Sequence, residues 1–262
     1  MIKTKAPQPT TEPVLHRILN EAWTYAQANR RFLAVFDLDS TLLDLTLRVA
    51  AIVEDFRNDP ANLTMYPEEC LKLKDMIIKR RDWGLKTPVE RAGMSTEGTF
   101  FRALERYWAT GFFSNDYLFR DEPLPGAVSY VQELHQLGAE IMYLTGRDIP
   151  RMFSGTEESL RTRGFPIEHP NVHVVLKPDF RMDDAQFKLD TLKEAEEQYE
   201  RIWLFENEPV NLNLIATECP EIGLVFIDST HSGREELKPI LDRIAHFECD
   251  LEEFRKTNYI PS

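Results

Sequence analysis

The chain has 262 residues, a formal net charge of −13, 42% hydrophobic residues and 29% charged residues. This balance suits one α/β core with room for a second, smaller module. The acidic excess argues against binding nucleic-acid backbone, which depends on Lys and Arg neutralising phosphates, and solubility is the plainer reading of the charge. Cys70, Cys219 and Cys249 are far apart and form no C-x-x-C pair, which points to reduced thiols. No apolar stretch reads as a signal peptide or approaches the roughly 20 residues that span a bilayer, so a cytoplasmic protein with no membrane partner is expected.

The first dozen residues, polar and proline-rich, read as a loose tail. From Val14 to Asn29 the residues Leu15, Ile18, Leu19, Ala22, Trp23 and Ala26 fall at helical spacing. The run Phe32-Leu33-Ala34-Val35-Phe36 is continuously apolar, as in a parallel strand buried on both faces. Four similar runs follow: Glu140 to Leu144, Val172 to Leu176, Ile202 to Phe205 and Leu224 to Ile227. Helical segments are expected between them, at Gly126 to Leu137 and Gln186 to Tyr199, with another near Glu235 to Phe247. This alternation predicts βαβ crossovers and a doubly wound parallel sheet. Between the first two strands no strand pattern appears. Leu45 to Phe56, Pro67 to Trp83 and Thr96 to Trp108 read as helices, the last with Ser95 or Thr96 as N-cap. The expected division is a core of 1–43 and 122–262 with a mostly helical insertion at 44–121.

Ligands of open α/β sheets bind outside the carboxyl ends of the strands. Polar residues gather at those ends: Asp37 and Asp39, then Thr145, Lys177, and Glu206 with Asn207. Aspartates one residue apart repel each other, and a hard cation such as Mg²⁺ would relieve that repulsion and hold a phosphate in line for attack. A hydroxyl at Thr145 and a lysine ammonium would absorb charge on the phosphoryl oxygens. Taken singly, Asp37-Leu38-Asp39 could be no more than turn-forming aspartates at a strand end.

The stretch Asp37-Leu38-Asp39-Ser40-Thr41 after an apolar strand resembles the first motif of the haloacid dehalogenase superfamily, and Tyr143-Leu144-Thr145-Gly146-Arg147 resembles the second. Leu124-Pro125-Gly126 before a helix fits the same pattern. The resemblance implies a Rossmann-like three-layer core with the Asp37 strand in the middle and a helical cap after the first strand. It implies a phosphatase in which Asp37 is the nucleophile and Asp39 the acid and then the base. Thr145, Gly146 and Arg147 would hold the phosphate. The motif lysine is Lys188, with Lys177 as the alternative and a further candidate for phosphate. The Mg²⁺ ligands would come from Asp37, Asp39, Glu206, Asn207 and Asn211. The last of these motifs departs from the family, which commonly has two aspartates where this chain reads Glu206-Asn207-Glu208-Pro209-Val210-Asn211. Glutamate and asparagine still offer oxygens, but the change leaves open a catalytically weak binding or regulatory protein. Glu208 reads as a turn residue before Pro209.

Lys72, Lys74, Lys79, Arg80, Arg81, Lys86 and Arg91 of the insertion read either as an anion-binding surface or, with acids interleaved, as a solvated face. Phe100, Phe101, Tyr107, Trp108, Phe112 and Phe113 read as insertion core. No histidine pair has zinc-site spacing, and no Walker loop, G-x-S-x-G or G-x-G-x-x-G is present. The expected partner is a small phosphate ester, and no heptad sets an oligomeric state.

Overall fold

The structure, a computed structural model, describes residues 11–238 and 241–258. Of the expected tail, positions 1–10 lie outside the described residues, and Thr11 already starts helix α1 (Thr11–Gln27). Strand β1 (Phe32–Phe36) follows, then the two-residue β2 (Leu43–Asp44). Five helices come next: α2 (Thr46–Asn58), α3 (Pro60–Met65), α4 (Pro67–Leu73), α5 (Lys86–Arg91) and α6 (Thr99–Phe112). A 3-10 turn at Asn115–Arg120 leads to β3 (Glu122–Pro123), which pairs antiparallel with β2 at the neck of the insertion. The remainder is α7 (Ala127–Gln136), β4 (Glu140–Asp148), α8 (Ile149–Thr162), β5 (Val172–Lys177), α9 (Asp184–Glu196), β6 (Arg201–Glu206), α10 (Pro209–Glu218), β7 (Gly223–Ile227), β8 (Asp242–Ile244) and α11 (Leu251–Asn258).

Six strands form one parallel sheet in the order β5-β4-β1-β6-β7-β8, so β1 lies inside, paired with β4 and β6. Successive side chains of a strand point to opposite faces. Phe32, Ala34 and Phe36 accordingly join a core with residues of α1, α7 and α11, whereas Leu33 and Val35 join a second core with residues of α9 and α10. These are the outer layers of a Rossmann-like three-layer architecture. The insertion has its own core, built from Val53, Phe56, Leu73, Val89, Phe101 and Leu104 among others.

The carboxyl-terminal part departs from the sequence reading. The segment near Glu235 to Phe247 is no helix among its described residues; it supplies the sixth strand, β8, parallel to β7. Only three residues long, that strand carries too little apolar pattern to stand out. Its downstream chain closes over the sheet, where Phe247 N donates to the Pro125 carbonyl at 2.8 Å. Gly126 makes this approach possible: at φ 76° it is left-handed, and a Cβ there would meet the Phe247 carbonyl carbon at 2.4 Å. Two further boundaries moved. α4 stops at Leu73 rather than Trp83, and Gly98 precedes α6 in place of Ser95 or Thr96. Among the described residues no helix is long and apolar enough to cross a membrane.

Candidate active site

Asp37 directly follows β1, and its N–H donates to the Phe205 carbonyl of β6 at 3.0 Å. The chain then turns sharply. Ser40 sits at φ 66°, a left-handed conformation uncommon for a residue with a side chain. Two bonds hold it there: Ser40 N donates to the Leu43 carbonyl at 2.9 Å, and Ser229 Oγ donates to the Ser40 carbonyl at 2.6 Å. Thr41 Oγ1 donates to Asn207 Oδ1 at 3.0 Å, which ties this turn to the end of β6.

Lys188, in the first turns of α9, reaches across to the ends of β1 and β6. Its Nζ donates to Asp37 Oδ1 and to Glu206 Oε2, each at 2.7 Å, and all three side chains are buried. Burial pushes the Asp37 carboxyl up to about 7; Lys188 opposes the shift, while Glu206 and Asp39 add to it. The ammonium loses solvation, but its two carboxylate partners outweigh that and hold it firmly charged.

Lys177, the other candidate, faces elsewhere. Its Nζ donates to the carbonyls of Phe180 and Met182 at 3.2 and 3.0 Å and pairs with Asp184. It anchors the loop before α9 and presses Asp184 against Gly146, where a Cβ would meet the Asp184 carboxylate at 2.6 Å. The cavity at the strand ends is lined by Lys188, Thr145 and Gly146, not by Lys177. Thr145 Oγ1 accepts from Arg147 N at 3.3 Å. β4 continues past the Thr145-Gly146-Arg147 stop expected from sequence, with an irregularity in its pairing between Thr145 and Asp148.

Arg147 is occupied by a charge cluster that sequence reasoning missed. Its Nη2 donates to Asp39 Oδ1 at 2.5 Å and to Asp121 Oδ2 at 2.9 Å, and its Nη1 to Thr156 at 3.1 Å. Arg48 of α2 donates to both oxygens of Asp121 at 2.7 and 2.6 Å and to Asp39 at 2.8 Å. Two arginines thus hold two aspartates, and Asp121 and both guanidiniums are almost wholly buried. Burial alone would raise the Asp39 carboxyl, but Arg147 and Arg48 overcome it and hold Asp39 well below the ordinary carboxylate range. Arg48 and Asp121 belong to no recognisable motif; the sequence signal is an arginine early in an otherwise apolar helix face.

The oxygens left for a cation are few. Glu206 is saturated: Oε1 accepts from the N–H groups of Asn207 and Glu208 at 2.9 Å, and Oε2 from Lys188 and from Asn211 Nδ2 at 3.0 Å. Asn207 is spent on Thr41 and on the Thr230 carbonyl, to which Nδ2 donates at 2.6 Å. Glu208 accepts from Ser232 N and Oγ, so it fastens a loop as well as preceding Pro209. Among the described residues no three Asp, Glu, His or Cys side chains gather as a metal cage. Asn211 is different. Because a carboxylate can only accept, the amide nitrogen must face Glu206, and Oδ1 is left buried with no hydrogen-bond partner among the described residues. Asp37 and Asn211 line the same cavity. A hard divalent ion that retains several of its waters fits such a sparse oxygen set.

The insertion roofs this cavity. Trp108, Phe112 and Phe113 line it instead of lying wholly in the insertion core, whereas Phe100 and Phe101 are buried there as expected. Lys79 and Arg80 also line it. Arg80 and Arg81 grip the sheet unit through the Ala245 carbonyl and Asp228, and Arg91 pairs with Asp82. Lys72, Lys74 and Lys86 are exposed.

No protein-family model matches the chain, and no curated protein does. Solved structures do. A haloacid dehalogenase-like hydrolase from Streptococcus pneumoniae matches with a TM-score of 0.50 at 11% identity, over 87% of this chain and 98% of that one. This is the haloacid dehalogenase fold. Protein tyrosine kinase A from Mycobacterium tuberculosis shares it, with a TM-score of 0.52 at 14% identity over 87% of this chain and 98% of that one. So does a protein from Clostridium difficile assigned as a phosphatase, at 0.50 and 13% identity over 88% and 99%. At such identities the likeness concerns the haloacid dehalogenase fold alone.

Proposed function

We propose that the protein is a phosphohydrolase that cleaves a small phosphate monoester through an ester formed on Asp37. One observation carries the reading: a buried carboxylate at the end of a central strand, 2.7 Å from a buried lysine, opens onto a roofed cavity. Asp37 Oδ1 is held by Lys188, which fixes the carboxylate for attack by its other oxygen. As negative charge shifts onto the phosphoryl oxygens, the Lys188 ammonium and the Thr145 hydroxyl are placed to stabilise it. Arg147 orients Asp39 instead of binding the phosphate. The arginines that keep Asp39 ionised suit it to taking a proton from water in the second step. Giving a proton to the leaving oxygen in the first step requires Asp39 first to take one up from water, so its contacts with Arg147 and Arg48 must loosen; Arg48 belongs to the insertion, which would act as a cap.

Mg²⁺ would be held by Asp37 and Asn211, with Glu206 and Asp39 beside them, and would neutralise charge between the nucleophile and the phosphate. Residues 44–121 would form the cap domain and the remainder the core. The names of two fold neighbours, a hydrolase and a phosphatase, agree with this reading.

A specific observation favours a second reading, that of a weakly active or regulatory protein. Glu206 and Asn207, two of the positions expected to hold the cation, have their polar atoms committed to protein partners. The test is phosphate release from a panel of small esters, with Mg²⁺ or with a chelator. Metal-dependent turnover supports the hydrolase; a folded protein inert on every ester supports the second reading.

A further inference from the structure

The cavity has a volume of ≈300 Å³, within the small-molecule range, and charged and aromatic groups both line it. Asp37, Lys188 and Thr145 form the reacting end. The insertion contributes Trp108, Phe112 and Phe113 to the lining, together with Lys79 and Arg80. The Trp108 and Phe112 rings are tilted at 4.9 Å between centroids, and Phe113 stands edge-on to Phe112 at 5.0 Å. Such a wall supplies flat apolar surface.

Trp108 adds a polar feature. Its Nε1 is buried and has no hydrogen-bond partner among the described residues. A buried indole N–H ordinarily finds an acceptor, and leaving one unmet is costly. Phenylalanine would fill most of the same wall without that cost. An acceptor brought by a ligand would remove that cost.

We propose that the ester's leaving group is a planar aromatic or heteroaromatic ring bearing a hydrogen-bond acceptor, seated against Trp108, Phe112 and Phe113 and receiving the Trp108 indole N–H. This rests on the phosphohydrolase reading for the position of the phosphate, and it names the class of substrate. The ring stacks on the insertion wall while its phosphate reaches Asp37 and Lys188.

The test uses matched probes on the full chain. Aryl esters have better leaving groups than alkyl esters, so affinity is measured by calorimetry with non-hydrolysable phosphonates: propyl, naphthylmethyl, and quinolinylmethyl isomers that move one ring nitrogen. Phosphate release from the corresponding esters is followed in parallel. The naphthylmethyl compound should bind about tenfold or more tighter than propyl. At least one quinolinylmethyl isomer should gain about a further tenfold, the scale of one well-made hydrogen bond. Trp108→Phe, checked for an unchanged melting temperature, should erase the quinoline advantage and leave naphthyl affinity within about twofold. Equal affinity for propyl and aryl compounds, no binding by any phosphonate, or a quinoline preference that survives Trp108→Phe would each overturn the proposal. The expected order of affinities with no ester hydrolysed would remove the hydrolase and keep the ring site. Esters hydrolysed without that order of affinities would do the reverse.

Discussion

Lys188 Nζ lies 2.7 Å from Asp37 Oδ1, although 151 residues separate them in sequence. The same ammonium lies 2.7 Å from Glu206, so one buried cation serves two carboxylates from neighbouring strands. Lys177, which directly ends a strand, is instead committed to the loop before α9. The two lysines should therefore respond differently to removal of the charge. Lys188→Met should lower kcat by roughly 100-fold or more, since it removes a preorganised charge from the proposed phosphoryl site. Lys177→Met should mainly lower the melting temperature, because it leaves two carbonyls and Asp184 unpartnered. Steady-state phosphate release and thermal denaturation on both variants separate these effects.

Asp37 should show a conflict between function and stability. Burial raises its carboxyl to about 7, so between its unfolded value of ~3.9 and about 7 the folded state binds the proton more strongly. Over that window rising pH lowers stability as the buried group ionises. Asp37→Asn removes the charge while keeping the shape. It should abolish turnover yet raise the melting temperature of the metal-free protein at pH 8 by a few degrees, on the order expected for about 1 kcal/mol. Differential scanning calorimetry across pH 5 to 8 checks both sign and window.

The cluster of Arg48, Arg147, Asp39 and Asp121 should tolerate poorly the loss of its most buried member. Asp121→Ala strips Arg48 of both bonds to that carboxylate and leaves two buried guanidiniums sharing Asp39. The expected cost is about 3–5 kcal/mol in denaturant-derived stability, the range for breaking a buried pair from one side. A double-mutant cycle with Arg48→Met should recover part of it.

Asp82, in the insertion, offers a second pH test. It is largely buried, although burial alone would raise its carboxyl; Arg91 and the Lys79 N–H hold it below the ordinary value. An acid depressed in the folded state contributes stability above its unfolded pKa and loses it as pH falls through the folded value. Asp82→Asn should therefore be less stable than wild type at pH 7, and the gap should begin to narrow at pH ~4 and close as pH falls through the lowered folded value. Chemical denaturation as a function of pH measures it.

Asn211 bears on the cation. Replacing it with aspartate places a second charge beside Glu206, at the cavity, where Oδ1 has no partner among the described residues. Asn211→Asp should be destabilised without metal and gain melting temperature steeply with added Mg²⁺, more than wild type does, because a ligand that binds only the folded state stabilises it by mass action. A melting temperature of the variant that ignores Mg²⁺ would remove Asn211 from the cation site.

Much of this architecture is legible in the sequence because it rests on local patterns. The run from Phe32 to Phe36 is apolar on both faces, as an inner parallel strand must be, and Asp37 follows it directly. Lys188 is legible only by resemblance, since nothing local distinguishes it from a surface lysine. β8 is too short to show periodicity, and its place depends on pairing with β7. Arg48 and Asp121 belong to no motif; they meet because the antiparallel pair β2 and β3 closes the neck of the insertion beside the site. The division of the insertion's aromatic residues between its core and the cavity roof depends on how the helices pack, which composition does not carry.

The central claim is a phosphate ester on Asp37. Its most direct test is rapid acid quench of the protein during turnover of a small ester in Mg²⁺, followed by peptide mass analysis. The account predicts the added mass of one phosphate on the peptide containing Asp37, lost on treatment with hydroxylamine and absent from Asp37→Asn. Turnover with no such adduct, or an adduct on another residue, would contradict it.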